Sequence, residues 1–449
     1  MTHTFAARRH VHVAMMLAAV SVPAARAQAP PPPATMAQSV RGHMEFLASD
    51  ALNGRGTGTR DEWIAATYVA AQLRRCGVDP AGPDGAYVQL VDAPPRALSA
   101  PPRIVVGAGN TYTHGREIFV RWVGRPGTSG PLVKYTAGRA IPPQAVVLTT
   151  ADSEPPPEML AGAAAILVDE PERERARWPL LPRLRISLAL TREWRIAVSR
   201  DVYAHLSKLP EGTPVRLEAS FETARTWNVL GQLRGAAEGR DQTILLHAHL
   251  DHLGNRGTGA DSVYNGADDD ASGITAVLEL ACALAAMPRT ERSWVFAWFG
   301  AEETGGIGSR HFAEQAARLD GLVFSLGFEM LGRPDPEIAP RVVWLTGYDR
   351  STLGPELLRL GANLAPDPHT EQRFFFRSDN IRLAQRGVVA HAVASFGLHA
   401  DYHQPTDELS QIDVPHLVEA IRSMILPLWT LANSRFEPTW HPGMQPPVR

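Results

Sequence analysis

Residues 243–252, TILLHAHLDH, form an apolar and β-branched run that ends in three histidines and one aspartate. The run has the length and composition of a buried strand, and its polar side chains come where the strand should end. Further along, 274–287 has a strongly apolar helix pattern and 294–299 is a second buried strand. Buried strands that alternate with helices predict an α/β fold with a mostly parallel (mixed) sheet flanked by helices.

The alternation of strands and helices continues toward the C-terminus. Apolar strand patterns cover 322–328, 342–345 and 388–393, and the last helix pattern covers 414–431. In open α/β sheets the carboxyl ends of the parallel strands meet at one edge, and active sites form there. We therefore expect the polar residues that follow these strands to lie together.

Two of the polar segments are 247–252 and 266–273, GADDDASG. Residues two apart in an extended chain share a face, so Asp251 can accept a hydrogen bond from the imidazole of His249 and fix which nitrogen meets a metal. A polar strand end with exposed histidines is the ordinary alternative. Acidic residues at a helix start can also simply cap the helix and complement its dipole, which explains one of the three aspartates.

Three further segments carry carboxylates or histidine. Glu302 and Glu303 follow the strand 294–299, where two adjacent carboxylates are costly unless they are solvated or bound to a cation. Glu329 ends an otherwise apolar run, and His403 lies in a polar loop. Singly, each of these residues is more often structural than functional. Together, the segments offer the His, Asp and Glu set that a two-metal hydrolase uses.

The order of these motifs resembles the co-catalytic zinc exopeptidases, which include bacterial leucyl-type aminopeptidases, glutamate carboxypeptidase and, more distantly, glutaminyl cyclases. The motifs that carry the resemblance are AHLDH (248–252), GADDDASG (266–273), FGAEET (299–304), FEMLG (328–332) and DYHQPTDE (401–408). The resemblance covers residues 38–98 and 226–433 and implies a phosphorylase/hydrolase-like fold.

The resemblance implies two Zn²⁺ ions and a role for each matched residue. The implied ligands are His249, Asp269, Glu303, Glu329 and His403. Asp269 would bridge the two ions, Glu302 matches the general base, and Asp251 matches the residue that orients the first histidine. Many aminopeptidases have Asp where Glu329 stands, and relatives often have His where Asn380 stands. We assign Asn380 no role.

The implied activity is the removal of terminal residues from peptide or protein substrates, with an aminopeptidase as the main expectation. A carboxypeptidase or dipeptidase would need a partner for the C-terminal carboxylate, which Arg333, Arg373 or Arg377 can supply. A glutaminyl cyclase and a binding ectodomain without catalysis are weaker alternatives, because this chain keeps every ligand position. The sequence has no His-Glu-x-x-His helix, no Gly-x-Ser-x-Gly elbow and no P-loop lysine motif.

The segment between the two matched parts, residues 99–225, has a different texture. Short β-rich runs alternate there with proline-rich connections, at 103–106, 145–148, 165–168 and 215–218. We predict an inserted, mainly β domain, in which 161–168, AGAAAILV, resembles the protease-associated domain. The peptidase domain would then combine 38–98 with 226–433, and residues 434–449, which contain several prolines, would form a frayed tail.

The N-terminus has the layout of a secretory signal peptide over residues 1–27. Two arginines precede an apolar run at 11–22 that is too short for a comfortable membrane span, and a small-residue cleavage site follows it. An uncleaved anchor is the alternative. Residues 28–37, with four consecutive prolines, predict a disordered leader. The mature protein is thus expected to be secreted or periplasmic. The glycine-rich loop 53–59, NGRGTGT, fits neither common phosphate-binding fingerprint and predicts a structural turn.

Composition narrows the function further. At 449 residues, with 44% hydrophobic and 20% charged residues, the chain is long enough for more than one ordinary globular domain. A formal net charge of −3 argues against a nucleic acid or an anionic membrane as partner. Cys76 and Cys282 are too few for a Cys₄ zinc site; we expect two small buried side chains, and the sequence does not say whether they meet.

Overall fold

The computed structural model describes Met1 and residues 33–448, apart from 94–97, 126, 177, 179–186, 189–191, 223, 237–238, 240, 258, 260 and 396–398. The predicted signal peptide beyond Met1 and residues 28–32 of the predicted leader lie outside this part of the chain. The chain forms two compact units. One comprises Met1–Gln89 and Asn228–Arg449, and the other comprises Leu90–Trp227.

The helices have the following bounds: α1 Pro33–Leu47, α2 Arg60–Arg75, α3 Glu172–Arg175, α4 Arg200–Lys208, α5 Gly273–Ala286, α6 Ile307–Ala313, α7 Ala316–Leu319, α8 Leu353–Arg359, α9 Asn380–Ala384 and α10 Val414–Ala432. The strands are β1 Asp79–Pro80, β2 Val88–Ala93, β3 Arg103–Val106, β4 Asn110–Thr113, β5 Ile118–Val123, β6 Ser129–Lys134, β7 Val146–Thr150, β8 Ala165–Asp169, β9 Ser187–Leu188, β10 Trp194–Val198, β11 Pro214–Glu218, β12 Ala224–Leu233, β13 Thr243–His249, β14 Gly254–Asn255, β15 Val263–Tyr264, β16 Ser293–Phe299, β17 Leu322–Phe328, β18 Val343–Leu345, β19 Leu364–Pro366 and β20 Ala390–Ala394.

The first unit is built on a sheet with the strand order β1-β12-β16-β13-β17-β20-β18-β19. Its centre is parallel, because β13 pairs in parallel with both β16 and β17, and β17 pairs in parallel with β20. Antiparallel pairs flank this centre, formed by β12 with β16 and by β18 with β20. The predicted α/β fold with a mostly parallel, mixed sheet is confirmed.

Helices cover both faces of the parallel centre, as its continuous apolar strands require. Successive residues of β16 show the two faces. The indole of Trp298 donates to the backbone oxygen of Ile274 in α5 at 3.2 Å. Its neighbour Phe299 points the opposite way and packs edge-to-face on Phe312 of α6. Helices therefore cover both faces of the sheet. The polar residues lie at the carboxyl ends of its parallel strands.

Both ends of the first unit differ from the sequence prediction. Helix α1 begins at Pro33 and so includes the last five residues of the predicted leader 28–37; proline is well tolerated in the first turn of a helix. The expected frayed tail is wrong, because Trp440 packs on Phe375 and its indole donates to the oxygen of Gly387. Among the helices that the structure describes, none is long and apolar enough to span a bilayer.

The second unit holds a sheet in the order β4-β3-β11-β6-β7-β8-β10-β5-β9. Strands β6, β7, β8 and β10 form a parallel run, and helix α4 packs against β7 and β8. Its core gathers the apolar residues of these strands, including Trp194 and Val146. The β-rich runs predicted for this segment coincide with β3, β7, β8 and β11. The protease-associated likeness and the domain boundaries stay predictions.

A disulfide joins Cys76, which follows α2, to Cys282 of α5, with the two Cα atoms 5.1 Å apart. The sequence left open whether these two cysteines meet, and the structure pairs them. The cysteines are separated by 206 positions and meet because α2 packs against α5. The bond therefore ties the N-terminal helices to the helix that follows the Asp268–Asp270 segment.

We predict that replacing both cysteines by serine lowers the free energy of unfolding by about 3–5 kcal/mol, because a cross-link that closes a long loop restricts the unfolded chain. Urea unfolding with and without a reductant measures the change. The reductant should shift the midpoint of the wild type toward that of the double variant and leave the double variant unchanged. Equal midpoints for the oxidised wild type and the variant would contradict the prediction.

Candidate metal centre

The strand ends of the parallel centre bring the candidate residues together. His249 is the last residue of β13, Glu302 and Glu303 follow β16, and Glu329 follows β17. These three strands run parallel and in adjacent positions, so their carboxyl ends meet. Asp269 lies in the turn that leads into α5. The shared edge of the sheet thus holds side chains that are far apart in the sequence.

His249, Asp269 and Glu329 form one group of possible metal ligands. The imidazole Nε2 of His249 lies 3.2 Å from Oδ1 of Asp269 and 3.7 Å from Oε1 of Glu329. This Nε2 is buried and has no hydrogen-bond partner among the described residues. A buried nitrogen beside two carboxylate oxygens fits the donor set that Zn²⁺ prefers.

A second group consists of His252, Asp269, Glu303 and His403. The Nε2 atom of His403 lies 3.1 Å from Oδ2 of Asp269 and 3.3 Å from Oε2 of Glu303. Asp269 offers one carboxylate oxygen to each group. The structure therefore brings the five sequence-derived ligand candidates together in two groups that share Asp269.

His252 joins the second group although sequence reasoning gave it no role. Its Nδ1 lies 2.8 Å from Oε1 of Glu303 and 3.8 Å from Oδ2 of Asp269. Its ring is buried. The available signal was its position three residues after His249, directly after Asp251, in the motif AHLDH. The contact holds the Glu303 carboxylate in place while leaving its other oxygen near His403.

The orientation of His249 differs from the sequence prediction. Its Nδ1 lies 3.0 Å from the backbone oxygen of Asp251, not from the carboxylate as expected. A ring nitrogen bonded to a carbonyl oxygen must carry the proton, which leaves Nε2 free to meet a metal. The Asp251 carboxylate instead accepts hydrogen bonds from the backbone N–H of Glu302 at 2.9 Å and from the hydroxyl of Thr57. Asp251 thereby links the segments of the first histidine and the candidate base.

The other two aspartates of the triplet serve the backbone. Asp270 accepts from the N–H groups of His249 at 3.0 Å and of Gly273 at 3.1 Å. Asp268 accepts from the N–H of Gly332 at 2.6 Å. Asp270 thus combines the expected helix-capping role with a bond to the end of β13, and Asp269 alone of the three contacts both groups.

Asp407 fixes the turn that carries Asp269. Its Oδ2 accepts from the backbone N–H groups of both Asp268 and Asp269 at 3.1 Å. Asp407 is buried, and Arg333 lies 3.7 Å from its Oδ1. Sequence reasoning missed this role, although Asp407 belongs to the quoted motif DYHQPTDE. The motif that supplies His403 therefore also positions the shared carboxylate.

The crowding of carboxylates shifts the protonation of the site. Burial, reinforced by the nearby charges of Asp379 and Glu329 and opposed by that of His249, raises the pKa of Glu302 well above its ordinary value. Burial lowers the pKa of His403, but hydrogen bonds to Asp269 and Glu303 outweigh it and raise that pKa to about 9. Strongly shifted groups in a cleft are typical of functional sites.

A cleft opens on the two groups. Its lining combines the carboxylates with aromatic, small and polar residues: Asp269, Glu302, Glu303, Glu329, Met330, Trp344, Thr346, Phe374, Arg377, Ser378, Ala392, Ala394, Tyr402 and His403. Arg377 lies 3.4 Å from the hydroxyl of Tyr402 and stacks over the ring of Phe374. Asn380, to which we assigned no role, is buried and donates to the oxygen of Phe375. Glu302 lies in this lining together with ligand candidates of both groups.

Comparison with protein families supports the resemblance. The family model for peptidase family M28 matches residues 228–428. A probable lipoprotein aminopeptidase from Mycobacterium tuberculosis is 27% identical over 301 residues, which cover 63% of this chain and 56% of that protein. An aminopeptidase from Pseudomonas aeruginosa is 34% identical over 115 residues, which cover 24% of this chain and 19% of that protein. The chain thus spans about half or less of the length of these curated relatives.

Solved structures share the fold. A zinc aminopeptidase from Bacillus subtilis aligns with a TM-score of 0.52 and 17% identity, over 88% of this chain and 94% of that chain. An aminopeptidase from Aneurinibacillus sp. strain AM-1 aligns with a TM-score of 0.50 and 17% identity, over 92% of this chain and 96% of that chain. The matched region of the family model leaves out the N-terminal segment that contains the 53–59 loop.

We predict that Asp407→Ala destabilises the fold by about 2–4 kcal/mol, since it leaves two buried N–H groups without an acceptor. Asp407→Asn should cost clearly less, because a single amide oxygen can keep both bonds that Oδ2 now accepts. Urea unfolding of the two variants beside the wild type measures the difference. If the alanine and asparagine variants unfold at the same midpoint, the two backbone bonds do not carry the stability assigned to them.

Proposed function

We propose that this chain, which belongs to peptidase family M28, is a two-zinc aminopeptidase that hydrolyses the N-terminal peptide bond of peptide or protein substrates. The observation that carries the proposal is the pair of ligand groups that share Asp269, with Glu302 on the same cleft. The family match and the aminopeptidase relatives support the same activity.

The ligand assignment follows from the two groups. His249 and Glu329 would hold one Zn²⁺, Glu303 and His403 the other, and Asp269 would bridge them. Each His presents its Nε2 to a carboxylate of its group at 3.1–3.2 Å. Bound in pairs, zinc ions lower the pKa of a shared water and polarise the scissile carbonyl.

Glu302 is the proposed general base. Its backbone N–H is held by Asp251, and its side chain lines the cleft next to Glu303 and Glu329. Its carboxylate would take a proton from the attacking water and deliver it to the leaving amine.

A carboxypeptidase or dipeptidase is the second candidate, and one observation favours it. Of the three arginines considered for a C-terminal carboxylate, Arg377 lines the cleft. Arg333 is paired with Asp401 at 2.8 Å, and Arg373 stacks over the ring of Phe376. Arg377 can bind a substrate carboxylate there, whereas an aminopeptidase would use the acidic groups beside it for the free amine.

We also propose that the protein acts outside the cytoplasm, as a secreted or periplasmic enzyme. The charged and apolar pattern over residues 1–27 is typical of a secretory signal peptide. The disulfide between Cys76 and Cys282 supports this location, because such bonds persist in oxidising compartments.

We predict that Glu302→Gln keeps its zinc but loses about 10²–10⁴-fold in kcat on a peptide with a free N-terminus, since the amide cannot accept a proton. Metal analysis and turnover of the same preparations test this. Glu329→Gln is the matched control, because it also removes one carboxylate from the cleft but should lower the zinc content toward one ion per chain. Full turnover in Glu302→Gln would remove it from the role of base.

The direction of attack on the substrate is a separate prediction. We expect release of the first residue from a peptide with a free amine, no release from the N-acetylated peptide, and continued release when the C-terminus is amidated. Mass spectrometry of the products identifies which end is shortened. Cleavage of the N-acetylated peptide together with resistance of the amidated one would favour the carboxypeptidase, and Arg377→Gln should then raise KM.

A further inference from the structure

The glycine-rich loop 53–59 does not behave as an isolated turn. Its third residue, Arg55, has a fully buried side chain and a left-handed backbone conformation with φ +44°. A buried guanidinium is costly unless its donors are satisfied. The hydrogen bonds that the Arg55 guanidinium donates in the described part of the chain go to backbone oxygens rather than to carboxylates.

Three of these four oxygens belong to the segments that carry the metal centre, and the fourth is that of Leu47 at the end of α1. Arg55 donates to the oxygen of Leu250, between His249 and Asp251, at 3.1 Å. It also donates to the oxygens of Asn265 at 2.7 Å and Gly266 at 3.0 Å, at the start of the turn that leads to Asp269. The guanidinium of Arg55 therefore joins two segments. One of them supplies His249, and the other supplies Asp269, the carboxylate that both ligand groups share.

The loop also contacts these segments through its backbone and through Thr57. The N–H of His252 donates to the oxygen of Arg55 at 3.1 Å, and Gly56 forms a strand-like bridge with His252. The hydroxyl of Thr57 donates to the Asp251 carboxylate. That carboxylate holds the N–H of Glu302, so the loop reaches the base through one intermediate residue.

The close approach depends on glycine. A Cβ on Gly54 would lie 2.4 Å from the oxygen of Tyr264 and 2.7 Å from that of Gly254, both backbone atoms that cannot swing away. Gly54 is therefore explained by its close contact with β14 and β15, the short strands that lie between residue 252 and the turn that carries Asp269.

Charge adds to the geometric argument. Arg55 is a buried cation that experiences the negative charges of Asp270, Asp269, Asp407 and Asp251. Carboxylates packed this closely repel one another, and a fixed positive charge behind them reduces the cost. The cation acts from behind the site, because the loop contributes no residue to the described cleft lining.

We propose that Arg55 and Thr57 are positioning residues of the metal centre: they hold His249, Asp251 and the Asp269 turn in the arrangement that binds zinc, although neither contacts the metal ligand atoms. This inference rests on the proposed function for the identity of the metal. On this proposal, the loop 53–59 is a structural part of the metal centre.

Thr57→Val is the decisive variant, because it replaces a hydroxyl by a methyl group of nearly the same size. Direct hydrogen-bond partners of metal ligands typically contribute 10–100-fold to metal affinity or activity, and Thr57 acts one residue further away, through Asp251, so the lower end of that range applies. We expect zinc to bind about tenfold more weakly in competition with a chromophoric chelator, and kcat to fall with KM unchanged. Thr67→Val is the matched control, since the Thr67 hydroxyl donates to the oxygen of Trp63 within α2. It should bind zinc like the wild type.

Arg55→Met has its own matched control. Arg292 is likewise buried and donates to the backbone oxygens of Leu431 and Phe436, but it precedes β16 at the amino end of the sheet. Both methionine variants should unfold at lower temperature than the wild type. Of the two, Arg55→Met alone should also bind zinc more weakly. If Arg55→Met does not fold, the comparison of Thr57→Val with Thr67→Val tests the positioning role.

The outcomes separate this inference from the proposed function. Zinc binding is measured without substrate, so a wild type that binds zinc but releases no amino acid would reject the aminopeptidase and leave this test intact. A wild type that hydrolyses peptides, together with Thr57→Val that binds zinc as tightly and turns over as fast, would overturn the positioning role. Equal loss of zinc affinity in Thr57→Val and Thr67→Val would overturn it as well.

Discussion

The repulsion between buried carboxylates is the constraint on which the rest of this site depends. Parallel strands bring Glu302, Glu303 and Glu329 to one edge, and the turn before α5 adds Asp269. Grouped charges of one sign are unfavourable at low dielectric unless protons or cations compensate them. Histidines provide part of this compensation from the front, and the guanidinium of Arg55 provides part from behind. The same imbalance makes the front of the site attractive to a divalent cation.

The acidic residues divide into two classes according to what their oxygens bind. Asp268, Asp270 and Asp407 accept hydrogen bonds from backbone N–H groups, so their charges serve to hold segments in place. The carboxylates on the cleft make fewer such bonds and face the histidines. This division explains how a triplet of adjacent aspartates can have one functional member. Asp269, which contacts both ligand groups, thus lies between two aspartates that anchor the backbone.

The sequence pattern predicted the buried strands and the polar segments near their ends, because both are local, and the resemblance then picked out the five ligand candidates within those segments. It did not predict partners that lie far away along the chain. Thr57 and Asp251 are 194 positions apart, and the two cysteines are 206 apart. The sequence also could not show whether the His249 ring bonds the backbone oxygen or the carboxylate of Asp251, since both belong to the same residue two positions away. Spacing predicts proximity, whereas the atom that makes the contact depends on how the loop 53–59 packs.

Local backbone strain is concentrated at the same edge of the sheet. Ala301, Met330 and His403 have φ values of 59°, 52° and 56°, a region that side chains other than glycine rarely adopt. Each lies at or next to a candidate ligand or the candidate base, because the chain must turn sharply to aim a side chain back across the strand ends. Such conformations persist only where the surroundings determine them. The sheet, the carboxylates that bind backbone N–H groups and the buried arginine supply that support. Ligand geometry here is therefore supported by the scaffold, at a cost in backbone energy that the core and the disulfide offset.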